Sequence, residues 1–184
     1  MAGRVLVVYG TTEGHTARIA AAVAARLREL GTAADVVEAG SEAPGPDGYD
    51  GVVVAASIHA GEYQRSLRRW VRTHADGLNR MPSAFISVCL GVLQHDESVR
   101  RHLDEMQARF QASTGWQPAS ATFVAGALAY TRYGWVKRQI MKRIAAAAGG
   151  ATDTTRDVEY TDWTELAAFV TAWSASLRAG AMAG

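Results

Sequence analysis

Apolar positions along the chain change their period in a regular order. Val5-Leu6-Val7-Val8-Tyr9 is an unbroken, mostly β-branched run, the pattern of a strand buried on both faces. From Thr16 to Leu30 the spacing turns helical, with Ile19, Val23, Leu27 and Leu30 on one face and Gly31 as a C-terminal stop. Further strands are expected at 34–38, at 49–56 around Val52-Val53-Val54, at 82–89 and at 118–126. A helix over 63–74 carries Leu67, Trp70 and Val71 on one side. Asp96 caps the next, whose apolar stripe is Val99, Leu103, Met106 and Phe110. Asp162, three positions before Glu165, caps a last helix bearing Leu166, Phe169, Val170, Trp173 and Leu177.

Strands that alternate with helices in this way predict an α/β fold, a doubly wound five-stranded parallel sheet with helices on both faces. One domain is expected over 1–178, with 179–184 as a flexible tail. One stretch breaks the rhythm. Between Gly126 and Asp162 lie 35 residues, far more than an ordinary connection, so an insertion is placed at about 128–157.

Composition narrows the class. Hydrophobic residues make up 48% and charged residues 20%, ordinary for a globular domain, although 35 of the hydrophobic residues are alanine. Lys+Arg 19 against Asp+Glu 18 gives a formal charge of +1, which argues against a nucleic-acid binder. A single cysteine, Cys89, excludes an internal disulfide framework and a cysteine-cluster metal site. No stretch has the pattern of a signal peptide or a spanning helix, so the expected location is the cytoplasm.

The strongest chemical signal is Gly10-Thr11-Thr12-Glu13-Gly14-His15-Thr16, which leaves the first strand and opens the first helix. A phosphate monoester needs donors converging on one point. A helix N-terminus supplies them, three threonine hydroxyls add more, and the glycines let backbone curl around the anion. The loop is neither a Walker motif nor a dinucleotide fingerprint. The competing reading is a turn in which Thr12 or Thr16 merely caps the helix. Glu13 is unfavourable beside a phosphate unless it points to solvent.

In a doubly wound sheet the ligand lies at the carboxyl ends of the strands. Ser57, Ile58, His59, Ala60 and Gly61 after the third strand, and Val88, Cys89, Leu90 and Gly91 after the fourth, are therefore candidates to hold a flat ring. Tyr63 reads equally as a cover for that ring or as a surface residue starting a helix. His59 suits a solvent-facing loop better than a catalytic base, and Cys89 suits a small buried hydrophobe.

These features together resemble a flavodoxin-type site for flavin mononucleotide, FMN. More narrowly, the chain is similar to the flavodoxin-like, menaquinone-dependent protoporphyrinogen oxidases. The likeness is carried by Tyr49-Asp50 leading into Ala56–Tyr63, Asn79–Phe85, Gly126–Tyr133, Gly149–Thr154 and Tyr160-Thr161-Asp162-Trp163. By this resemblance Thr11, Thr12, Glu13, Gly14, His15 and Thr16 form the phosphate loop. It implies non-covalent FMN, oxidation of a porphyrinogen in haem biosynthesis, and electron delivery to a membrane quinone. Where that family often has Asn-Leu-Val-Ala-Arg after the fourth strand, this chain has Cys89-Leu90-Gly91-Val92-Leu93. Other readings on the same fold are an electron-carrier flavodoxin, an NAD(P)H:quinone reductase, or a module holding some other phosphate. Carriers are commonly acidic, which a balance of +1 disfavours.

Charge is unevenly spread. Residues 106–152 hold six cations and no anion, while the rest of the chain holds 13 cations against 18 anions. Val136, Ile140 and Ile144 repeat every four residues, flanked by Lys137, Arg138, Lys142 and Arg143, with Trp135 at one end. That pattern suits a membrane surface; Tyr130, Arg132 and Tyr133 suit the same surface or a carboxylated porphyrin. It equally describes a surface helix packed by its apolar side. The length of the insertion and the family resemblance favour peripheral contact through 130–148 with the cytoplasmic face of the inner membrane. A homo-oligomer is compatible with the sequence.

Overall fold

The computed structural model describes residues 3–59, 61–94, 96–128 and 157–182. Five parallel strands form the central sheet in the order β2-β1-β3-β5-β6. They are β1 (Arg4–Gly10), β2 (Ala33–Glu38), β3 (Gly51–His59), β5 (Ser83–Val88) and β6 (Ser120–Val124). β4 (Glu62–Tyr63) folds back antiparallel on the end of β3, pairing Ile58 with Tyr63 and His59 with Glu62.

The alternation of side chains along β1 separates two cores. Val5 and Val7 face α1 (His15–Glu29) and α4 (Trp163–Met182), among Ile19, Val23, Leu27, Leu166 and Val170. Leu6 and Val8 face the other side, with Leu67, Val71 and Leu78 of α2 (Arg65–Asn79) and Phe110 of α3 (Glu97–Thr114). Phe110 stacks on Phe85 at 5.1 Å, and the fully buried Trp116 donates its indole N–H to Ser83 Oγ at 3.0 Å. β1 therefore carries no solvent-facing side, as its unbroken apolar run requires.

Two caps are as the sequence predicts. Asp96 Oδ1 accepts from the Ser98 backbone N–H, and Asp162 Oδ1 accepts from the N–H groups of Thr164 and Glu165. Other boundaries move. β3 continues to His59 because β4 gives its end a hairpin partner, which pushes the start of α2 from 63 to Arg65. Tyr63 is consequently neither a surface residue nor a ring cover: it is 4% exposed and packs on Phe85 and Phe110. α4 runs through Met182, into the stretch expected as a tail. At the base of the insertion, β7 (Ala127–Leu128) pairs antiparallel with β8 (Val158–Glu159). Tyr130, Arg132, Tyr133, Trp135, Lys137, Arg138, Lys142 and Arg143 fall outside the described residues, as does Ala60. No described helix is long and apolar enough to cross a membrane.

Candidate functional site

The order β2-β1-β3 reverses the winding of the chain between β1 and β3, and a crevice opens at their carboxyl ends. A cavity of about 590 Å³ lies there. Its wall contains Thr11, Thr12, Glu13, His15 and Thr16 from the first loop, Ser57, Ile58, His59 and Gly61 from the second, and Val88, Cys89, Leu90 and Gly91 from the third. Segments some fifty and eighty residues apart in sequence thus converge on one ligand-sized space.

The first loop turns on Gly14, whose φ of +89° suits glycine and strains other residues. Thr11 Oγ1 accepts the Gly14 N–H at 2.9 Å and closes the curl. Neither Thr12 nor Thr16 caps α1: the cap residue is Gly14, which makes no side-chain cap bond, and no acidic residue sits in the first turn. The N–H groups of that turn are left for an anion. Glu13 is half-buried and is among the residues lining the wall.

Gln64, which the sequence did not single out, ties the first two loops together. Its amide donates to Thr12 Oγ1 at 3.0 Å and to Ser57 Oγ at 2.6 Å, while its Oε1 is buried without a hydrogen bond. Gly10 beneath it leaves little room for a larger residue, since a Cβ there would lie 3.0 Å from Gln64 Oε1 and 3.1 Å from Leu67 Cβ.

α3 forms a second wall that sequence reasoning missed. Val99, His102, Leu103 and Met106 line the cavity, with Gly126 and Ala127 beside them. The stripe Val99-Leu103-Met106-Phe110 looked like a core face, and its Phe110 end is one. Only the packing of α3 against the turn at 91–93 that follows β5, where Gly91 stands close to Val99 and Leu103, turns the other end toward the crevice. Burial pushes the Cys89 thiol up, so it lines the wall as a neutral group. His59 is exposed at the rim.

His15 is half-buried and lies between the cavity and the base of the insertion. Its Nε2 is 2.7 Å from Thr161 Oγ1, and that hydroxyl donates to the Ala125 carbonyl at 2.8 Å. Nearby, Glu159 of β8 accepts from Arg18 and from the Trp163 indole, both at 2.6 Å. Burial alone would raise the Glu159 carboxyl; these donors hold it below its usual value.

Fold and cavity define a flavodoxin-like protein, and residues 6–155 match the flavodoxin domain family. The chain belongs to that family, and within it to the group of the quinone-linked protoporphyrinogen IX dehydrogenases. It is 40% identical over 167 residues to the Escherichia coli K12 protein named protoporphyrinogen IX dehydrogenase [quinone], covering 90% of this chain and 92% of that one. A Leishmania major protein of the same name is 33% identical over 173 residues, covering 92% and 74%. Among solved structures, oxidised flavodoxin 1 from Bacillus cereus superposes with a TM-score of 0.54 at 12% identity, covering 93% and 97%.

The residues present fit FMN. A phosphate matches the uncapped first turn of α1 and the three threonine hydroxyls. No lysine or arginine is needed, and none is present among the described lining residues. Ser57, Gly61, Cys89 and Gly91 are small residues of the two loops lining the cavity, which suits close approach to a flat ring. At Gly126 a Cβ would already press on Val88 Cγ1 at 3.3 Å. Among the described residues no group of three metal-ligating side chains converges.

Proposed function

We propose that this chain is an FMN-dependent oxidoreductase that oxidises protoporphyrinogen IX to the porphyrin and hands the electrons to a quinone. The observation that carries the reading is the cavity: an uncapped helix start, two ring-flanking loops and an apolar third wall share one space. The names of the relatives at 40% and 33% identity supply substrate and acceptor.

When bound, FMN supplies the two-electron acceptor chemistry that no side chain provides. The chain's own residues bind and orient. The first turn of α1 with Thr11, Thr12 and Thr16 would hold the phosphate, and Ser57, Ile58, His59, Gly61 and residues 88–91 would flank the ring. Val99, Leu103 and Met106 give the cavity an apolar wall, which suits the apolar body of a macrocycle. His59 and His102, both exposed at the rim, are placed to meet its carboxylates or accept its protons.

Contact with the cytoplasmic face of a membrane through 130–148 belongs to the same proposal. Its support is the run of cations without anions, and the position of the insertion's base. Ala127 lines the cavity and pairs with Glu159, so the segment leaves and rejoins the domain beside the site. A quinone dissolved in the bilayer is within reach of a cavity presented in that way.

The deciding experiment is anaerobic. Protoporphyrinogen IX should bleach the visible flavin absorption, and menadione should restore it. Bleaching by NAD(P)H alone would instead identify a reductase. Removing 132–148 should abolish sedimentation with anionic vesicles while leaving the flavin spectrum intact; undiminished sedimentation would refute the membrane contact.

A further inference from the structure

A second cavity, of about 450 Å³, lies between the loop after β2 and the outer face of α2. Its polar lining comprises Ser41, Arg65, Ser66, Arg69, Thr73 and His74. Among the described residues no carboxylate lines it. Residues 64–75 hold four arginines and no Asp or Glu. Arg68 is paired with Glu62 at 3.7 Å, whereas Arg65, Arg69 and Arg72 are exposed and make no ion pair among the described residues.

The groove is preformed. Trp70 donates its indole N–H to the Pro44 carbonyl at 3.0 Å, and a Cβ at Gly45 would stand 3.0 Å from His74 Cε1. These contacts seat the loop firmly against α2. Electrostatically the arrangement works against itself. Arginines at 65, 68, 69 and 72 repel one another at helical spacing. Those in the first turn also oppose the positive end of the helix, which has no side-chain cap because Gln64 is engaged with Thr12 and Ser57. An oxyanion seated between Arg65 and Arg69 relieves both effects and gains serine and threonine donors.

We propose that this groove is an anion site, separate from the cofactor cavity, that takes a phosphate-class oxyanion. Arg65, at one end of its lining, directly follows Gln64, which bonds Thr12 of the first loop. The phosphate is either that of a soluble phosphate compound or that of an anionic lipid headgroup. The site stands whether or not the chain oxidises a porphyrinogen.

The test uses the full chain saturated with FMN, so that the first loop is already filled, titrated with inorganic phosphate by calorimetry. Arg65→Gln/Arg69→Gln should weaken phosphate binding roughly tenfold or more, the effect of losing two charge-assisted contacts. Arg100→Gln/Arg101→Gln, which removes equal charge from α3, should change it by less than about twofold. The substituted side chains are exposed, and an unaltered flavin spectrum and melting curve confirm an intact fold. No phosphate binding by the loaded protein, or equal loss in both double variants, overturns the proposal. Phosphatidylcholine vesicles with and without phosphatidylglycerol then separate the sources. Severalfold loss of binding to the anionic vesicles in Arg65→Gln/Arg69→Gln assigns the site to a lipid headgroup. Unchanged vesicle binding alongside lost phosphate binding assigns it to a soluble phosphate.

Discussion

His15 and Thr161, 146 positions apart, meet through a hydrogen bond of 2.7 Å that joins the phosphate loop to the connection between β8 and α4. The Thr161 hydroxyl proton is directed to the Ala125 carbonyl, so Thr161 must accept from His15. That fixes the neutral imidazole as its Nε2–H tautomer. The first residue of α1 is thereby held by the chain returning from the insertion.

Thr161→Val keeps the side-chain shape but removes both hydrogen bonds. It should cost about 1–3 kcal/mol in denaturant unfolding, because the Ala125 carbonyl and the imidazole lose their partner. Nitrogen-15 chemical shifts of His15, recorded above its pKa, should report the Nε2–H form in the unmodified protein and a tautomer mixture in the variant. Thr161→Ser should restore the single form. An unchanged tautomer in Thr161→Val would show that Thr161 does not orient the ring.

Burial holds the His15 pKa below its ordinary value of 6.5; the Glu159 charge opposes this and Arg18 reinforces it. The unfolded chain therefore takes up this proton at a higher pH than the folded one. The stability linked to His15 is fully present above about 6.5 and is lost as pH falls through the depressed folded value. His15→Gln, with no titration of its own, should flatten that part of the acid limb. Urea midpoints measured across the window read the difference.

Gly14 holds a φ of +89° at the turn of the phosphate loop. Gly14→Ala forces a side chain into the left-handed region, at about 1–2 kcal/mol. Expressed at the site, that is roughly tenfold weaker FMN, measured by quenching of flavin fluorescence. Equal affinity in the two proteins would mean that the loop does not hold the phosphate in this conformation.

Tyr63 and Ser87 share a buried hydrogen bond of 2.9 Å, and burial pushes the phenol up to about 12. Tyr63→Phe should cost about 1–3 kcal/mol, since Ser87 Oγ is left without a partner inside the core. Tyr63→Phe/Ser87→Ala should recover part of that loss. FMN affinity should stay the same, because Tyr63 packs on Phe85 and Phe110 away from the ring. A large loss of affinity would return Tyr63 to the site.

Much of the fold was legible because its signals are local. Each buried strand is an apolar run, and the caps at Asp96 and Asp162 are set by residues two or three positions away. The lining loops were legible because strand order places any ligand at the carboxyl ends. Tyr63 was misread because the hairpin that buries it depends on pairing with Ile58. Gln64 carried no signal at all: its role exists only where Thr12 and Ser57 come within reach of one side chain. The arginines at 65, 68, 69 and 72 stand in the sequence, but that Arg68 finds Glu62 while Arg65, Arg69 and Arg72 make no ion pair among the described residues is a property of the folded surface.

What the sequence determined by itself was periodic or local: strands, helices, the glycine-threonine turn and the family to which they belong. These depend on backbone preferences and side-chain spacing along a few residues. Tertiary structure alone decided which end of the α3 stripe faces the cavity and which face of α2 stays unpaired. It also decided that His15 is answered by Thr161. Each of these is a meeting of groups far apart in the chain, and only packing brings them within hydrogen-bonding or contact distance.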